Sequence, residues 1–532
     1  MKLRCALKSA GLALLLPVVW TTAVFHRATL EKPAASRLTV SPNARATWYD
    51  QEKFGIHQLI VEGNAYSRGT RAGEKTARLL SMQEDSLNTR LNELIPSRVL
   101  RGIGMIFLMR WYSGIENYFE PWALDEMYGV GEWAPHEYDH LADGFTRQAA
   151  YHGLHEVGQL MVDQGLEDMG CTVAAFPHAG TWVIGRNFDF EGGQVFDDEK
   201  IVKWVFPDIG FGFVSVIWAG MVGAVTGVYV SINAAGSSDF KRLGTPSTLL
   251  VTKALQNATS ALEAVQIITK EQMFITDIFV VADRNSSQLY RVEKSPEKMA
   301  VLTYTEPIAI ANHLDHEIWT GDKVNEYRKR ELTTSYRARR GQEMLLDLSR
   351  MHAINPEMLN RRILAILRDK NAEGGKPLHL ANRRAIDALI AAHSVIFNAP
   401  QNRLYVGTGP AVAGRFIGFD LAKSFEKREP VVADELPADL KVTREIFNSV
   451  KDSFRLLSRA RKSLKKKDCA GAGDLIGQAE VRFNDSSIYF ELLGDLRACK
   501  GELSDAPWAW KTALEKVPAY FRQEQALREK LK

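Results

Sequence analysis

Cysteine is scarce in this chain: Cys5, Cys171, Cys469 and Cys499 are the four in 532 residues. A dense disulfide framework is therefore excluded, and stability must come from packing. Charge of one sign is lacking as well, since 67 Lys and Arg stand against 64 Asp and Glu, a net +3. No global field selects nucleic acid or an acidic partner, and no nucleic acid is expected to bind. The longest apolar run is at the N-terminus, where Lys2, Arg4 and Lys8 precede a mostly apolar stretch from Ala10 to Phe25, interrupted by Pro17. Residues 1–27 therefore read as a signal peptide or signal anchor. No small-x-small cleavage site follows, because His26 and Arg27 come before Ala28, which favours an uncleaved anchor. The rest of the chain is then expected in an exocytoplasmic space, periplasmic or secretory/lysosomal, tethered to the membrane.

The length excludes one ordinary domain and leaves room for two to four units. Residues 28–45, rich in Pro, Ser and Ala, read as a tether. Alternation from Phe54 to Glu62 predicts a strand, and Gly63 to Gly73 leads into a helix. Most of 75–168 is helical in pattern, so 28–170 is expected as a mostly helical segment. Within it Leu100 to Tyr112 is strongly apolar. That stretch reads as a buried helix or, alternatively, as one facing lipid or an acyl chain. His136-Glu137-Tyr138-Asp139-His140 matches HExxH, which on a helix would set two imidazoles on one face for zinc, with Glu156 or Glu167 as third ligand. A zinc metalloprotease is thus an alternative. Pro135 argues against it by placing the motif at a helix start.

From residue 171 the texture changes to strands, with helical stretches near Thr248–Lys270, Thr333–His352 and 353–392. His393–Phe397 and Arg403–Val406 form a hairpin, and the core ends near 420. A charged linker, 421–441, is expected next. The organising stretch is Gly170 to Phe190. Gly170-Cys171-Thr172-Val173-Ala174-Ala175-Phe176, a turn with Pro177, His178 and Gly180, then Thr181-Trp182-Val183-Ile184-Gly185-Arg186-Asn187-Phe188-Asp189-Phe190 read as a hairpin. Cys171 would head one strand, with Arg186 and Asp189 ending its neighbour, so that thiol, guanidinium and carboxylate meet. A thiol is a good nucleophile only as thiolate, and a fixed cation with a positioned acceptor promotes that state. As a plain structural residue, Cys171 would be a small buried hydrophobe.

Cys-Thr at a strand start, followed by Gly-Arg-Asn-x-Asp-Phe, resembles the N-terminal-nucleophile (Ntn) hydrolases of linear amides. These include the choloylglycine hydrolase, acid ceramidase and autoproteolytic penicillin acyltransferase-like groups. The resemblance implies an α+β fold, a four-layer αββα sandwich with a helical pre-cysteine segment, and a catalytic core over 171–420. It also implies self-cleavage between Gly170 and Cys171, because the nucleophile of such enzymes begins a chain and here 170 residues precede it. Glycine at 170 leaves its carbonyl open to the thiol. The freed α-amine, with an ordinary pKa of about 8, then serves as general base. No metal or organic cofactor is implied.

Carried over residue by residue, Arg186 would lie near the thiolate, Asp189 would hold the α-amine and Asn233 in Val230-Ser231-Ile232-Asn233-Ala234-Ala235-Gly236 would be the oxyanion donor. Asn312 would lie near the amine, and Arg337 in Ser335-Tyr336-Arg337 would be the second active-site arginine. The implied partner is a small-molecule linear amide, with an N-acyl lipid as one form, whose acyl group passes to water or to another amine.

Residues 442–532 are helical. Phe490, Leu493, Gly494, Ala506, Trp510, Ala513 and Pro518 fall at the spacing of a tetratricopeptide (TPR) unit, with Leu456, Ala460, Ala472, Ile476 and Ala479 as a weaker copy. Too few repeats to stand alone, they are expected to dock on the core; a protein-binding or inactive scaffold is the other reading. In that register Cys469 and Cys499 come together and, in an oxidising space, can pair.

Overall fold

A computed structural model describes residues 30–532 except 102, 105–109, 111–112, 154, 157, 160–168, 228 and 352–354. The N-terminal segment 1–27, most of the apolar stretch Leu100 to Tyr112, and Glu167 lie outside the described residues. Among the described residues no helix is long and apolar enough to cross a membrane.

The described residues form two sheets. One has nine strands in the order β1 (Arg45–Tyr49), β2 (His57–Gly63), β5 (Ile201–Pro207), β6 (Phe213–Ile217), β7 (Thr226–Gly227), β8 (Val230–Ala234), β9 (Asp277–Val281), β10 (Leu289–Lys294) and β11 (Met299–Tyr304). The other has seven, in the order β12 (Ile308–Ile310), β3 (Met169–His178), β4 (Thr181–Phe190), β13 (Ala391–Asn398), β14 (Arg403–Gly407), β15 (Phe416–Asp420) and β16 (Val432–Leu436). The sheets face each other across a shared apolar core: Val173, Trp182, Val395 and Val406 meet Ile60, Trp204, Val216 and Val280. Outside the first sheet, helices Ala65–Leu94, Ser247–Asn257 and Ala261–Lys270 bring in Leu79, Leu250 and Val265. Outside the second, Thr334–Ser349 and Pro356–Leu367 bring in Leu345, Ile363 and Leu367. Because both faces of each sheet are covered, the central strands are buried along their length rather than on alternate residues. Strand β4, for instance, is buried from Thr181 to Asp189.

Several expectations change. The segment before Cys171 supplies β1 as well as the expected strand β2, and β2 runs parallel to β5 from His57↔Ile201 to Gly63↔Pro207. Its helix begins earlier than expected, at Ala65 inside the stretch read as leading into it, with Asn64 capping the Ser67 N–H at 2.9 Å. Thr248–Lys270 is two helices, broken at 258–260, where Ser260 caps the second. In 353–392 the α-helix covers Pro356–Leu367 and the described remainder is irregular up to β13. The linker expected at 421–441 instead holds helix Leu421–Lys427 and edge strand β16, antiparallel to β15. Its Asp434 and Glu435 disguised it as linker, and charge on an edge strand guards against further pairing.

The C-terminal helices are Arg444–Lys465, Cys469–Arg482, Ser487–Cys499, Ala506–Glu515 and Phe521–Lys530. Leu457, Ala460, Ile476 and Leu492 form their core, and Cys469 and Cys499 are joined as a disulfide with Cα atoms 5.8 Å apart. The helices rest on the rest of the chain: Asn382 Nδ2 donates to Val517 O at 2.9 Å and Arg384 Nε to Ala519 O at 3.1 Å.

Candidate active site

The β3–β4 hairpin closes through a two-residue turn, Ala179-Gly180, with φ of 50° and 79°. Positive φ at both positions suits the twist of the flanking strands, and glycine accepts it without strain. That turn fixes the register, pairing Cys171 with Phe188, Val173 with Arg186 and Gly170 with Asp189. Side chains alternate between faces, so Cys171, Arg186 and Phe188 share one face while Asp189 lies on the other. The expected meeting of thiol, guanidinium and carboxylate is thus divided. Arg186 serves the sulfur, and Asp189 stands behind the backbone at Gly170.

On the thiol's face, Arg186 Nη2 donates to Cys171 Sγ at 3.5 Å and also to Ile232 O. Arg186 Nη1 donates to Thr226 Oγ1, and its Nε reaches Asn233 Oδ1 at 3.4 Å. Burial pushes the Cys171 thiol up, and the Arg186 charge pulls against it. Asn233 turns its amide nitrogen to Ala311 O at 3.1 Å and Ile310 O at 3.4 Å.

On the backbone side, the Cys171 N–H donates to Asn312 Oδ1 at 2.8 Å. The same oxygen accepts from Arg337 Nη2 at 2.7 Å, while Arg337 Nη1 donates to Cys171 O at 2.6 Å and Thr172 Oγ1 at 2.8 Å. A Cβ added at Gly170 would sit 3.2 Å from both Arg337 Nη2 and Asp189 Oδ2. Asp189 Oδ1 is buried and has no hydrogen-bond partner, and burial raises its carboxyl to about 6. Arg186, Asp189, Asn312 and Arg337 are therefore gathered around the Gly170–Cys171 dipeptide, and Asn233 joins them through Arg186.

His393 was not foreseen. It lies opposite Phe188 in β13, its ring stacked on that of Phe188 at 5.1 Å, with Nε2 2.8 Å from Thr226 Oγ1 and 3.2 Å from Arg186 Nη1. Burial, reinforced by the Arg186 and Lys200 charges, keeps the imidazole neutral. It can then accept a hydrogen bond from Arg186 and hold that side chain toward the sulfur. In the sequence it is only the first polar residue of a hairpin strand.

Phe188, the cross-strand partner of Cys171, also lines a cavity together with Leu87, Phe190, Phe196, Trp218 and Met221, among others. Cys171 belongs to the same apolar cluster as Phe188, Phe196 and Trp218.

The HExxH motif takes another form. His136–Tyr138 is a 3₁₀ turn after Pro135, so the two imidazoles do not stack one α-turn apart. His136 Nδ1 is 2.8 Å from Asp139 Oδ2, His140 Nδ1 donates to Glu137 O, and Glu156 accepts from the Ser247 N–H at 2.8 Å. Among the described residues no group of three or more His, Cys, Asp or Glu is placed to hold a metal ion.

No family model matches the chain, and no curated protein matches it in sequence. Among solved structures, the Caenorhabditis elegans ortholog of N-acylethanolamine-hydrolyzing acid amidase matches with a TM-score of 0.29 and 14% identity, covering 50% of this chain and 100% of its own. That likeness is too slight to fix the fold.

Proposed function

We propose that this chain is a thiol amide hydrolase of the Ntn type, activated by cleavage of its own Gly170–Cys171 bond. One observation carries this: the polar side chains converge on the backbone of that dipeptide and not on the sulfur alone. A thiol served by a side-chain base has no use for such a setting, whereas one whose base is its own α-amine requires it.

In the activating step the Cys171 thiol gives up its proton and attacks the Gly170 carbonyl. The peptide nitrogen takes up a proton and leaves as an amine, and water hydrolyses the thioester. One chain then ends at Gly170 and another begins at Cys171. The new ammonium has an acceptor in Asn312 Oδ1, and Asp189 Oδ1 is a counter-charge without a competing partner. In turnover the amine removes the thiol proton, Arg186 steadies the thiolate, and the thiolate attacks the substrate carbonyl. Asn233 is the assigned oxyanion donor: its amide nitrogen, which donates to Ala311 O and Ile310 O in the intact chain, would turn to the developing charge, an interaction worth roughly 3 kcal/mol. The ammonium protonates the leaving nitrogen, and water, or a second amine, releases the acyl group. The aromatic cavity favours an amide with a largely apolar acyl part, such as an N-acyl lipid. The apolar N-terminal segment would tether the enzyme to a membrane on the exocytoplasmic side, with the TPR-like tail docked on the core.

Cys171→Ala is the test. The variant is expected to stay a single chain and to lose turnover of fluorogenic N-acyl amides by at least a thousandfold. Retained activity would overturn the proposal.

A further inference from the structure

The cavity walled by Phe188, the residue paired with Cys171, is not uniformly apolar. Gln83, His155 and Thr248 also line it, only 4%, 9% and 1% exposed, and each carries a side-chain atom with no hydrogen-bond partner: Gln83 Nε2, His155 Nδ1 and Thr248 Oγ1. His155 is fixed from its other nitrogen, with Nε2 3.2 Å from Asp277 Oδ1. Of the other polar groups around the same cavity, His152 donates through Nδ1 to Gln148 O and accepts at Nε2 from the Val222 N–H. Glu84 Oε2 makes no hydrogen bond but is ion-paired with Arg147 Nε at 3.4 Å. Buried polar atoms normally find partners, and an orphan carries its desolvation penalty uncompensated. Three orphans facing an aromatic wall suit a ligand that is apolar over most of its surface but bears oxygen.

We infer that this cavity is a subsite for oxygen-bearing acyl groups, a hydroxy- or oxo-substituted alkanoyl chain whose oxygen is bound by Gln83, His155 and Thr248. This rests on the hydrolase proposal, since the thiol of Cys171, paired with Phe188, is what makes the cavity an acyl subsite. Discrimination is expected to be steep, because a chain lacking the oxygen leaves the same buried groups unpaired on binding.

The experiment is calorimetric binding of free acids to the full-length protein: hexanoic acid against its monohydroxy and monooxo derivatives. Wild type is compared with the double variant Gln83→Leu/Thr248→Val. At least one derivative is expected to bind wild type tenfold or more tighter than hexanoic acid, and that preference should shrink to within threefold in the variant. The variant's melting temperature should stay level or rise, because the atoms removed have no partner. Hexanoic acid binding tightest to wild type, or a preference that survives in the variant, would overturn the inference; the second is the outcome if the orphan atoms merely hold water. Failure of all the acids to bind, or a lowered melting temperature, would also overturn it. The hydrolase proposal fails separately, on chain mass at Gly170–Cys171, which neither substitution touches.

Discussion

Burial lifts the Asp189 carboxyl from 3.8 to about 6, with Asp387 adding to the shift and Arg337 and Arg383 opposing it. Since the folded value exceeds the ordinary one, the stability that this neutral carboxyl contributes is complete below about pH 4 and lost as pH rises through about 6. At pH 8 the ionised group costs the intact chain on the order of 3 kcal/mol. Asp189→Asn in an uncleavable Cys171→Ala background should therefore raise the denaturation midpoint at pH 8 and have no effect at pH 4, as read by urea unfolding at the two pH values. Asn233 and Asn312 are visible in sequence because each ends a β-prone run, whereas His393 has no local signature. Its significance comes from a partner 207 positions away, Arg186. His393→Leu is expected to lower kcat at least tenfold with KM little changed and to slow alkylation of the Cys171 thiol by iodoacetamide. His393→Gln, which keeps an acceptor, should recover most of both.

At the scale of elements, the hairpin that carries Cys171 was legible because its register is set by a local turn. Alternation between strand faces then dictates that Arg186 joins the sulfur and Asp189 the backbone. What covers the hairpin was less legible. Gly185 of β4 lies under helix Pro356–Leu367, where a Cβ would meet Ile363 Cγ2 at 2.4 Å and Leu367 Cδ1 at 3.1 Å. Gly185→Ala should cost about 1–3 kcal/mol by overpacking, measured as a drop in the chemical-denaturation midpoint. Strand β2 was read from its alternation, whereas β1 and β16 were missed, and so was the parallel pairing of β2, because its partner is distant in sequence. Charged residues in β16 and helical neighbours around β1 and β2 masked a pairing that tertiary context imposes.

At the scale of the whole molecule, the cut proposed before Cys171 would leave two pieces that share one sheet, since β2, itself paired with β1, is bound to β5. A buried charge cluster also crosses the cut: Glu126 accepts from Arg68 Nη2 at 2.6 Å and from Lys203 Nζ at 2.8 Å. The pieces should therefore remain together under native conditions. Glu126→Ala would strand two buried cations and is expected to weaken that association by on the order of 3–5 kcal/mol, seen as earlier dissociation in native mass spectrometry with rising temperature. The most direct measurement is the intact mass of the purified, active protein under denaturing conditions. Two chains are predicted, one ending at Gly170 and one beginning at Cys171 with a free α-amine. A single chain running unbroken through Gly170–Cys171 and turning over amides at full rate would contradict it.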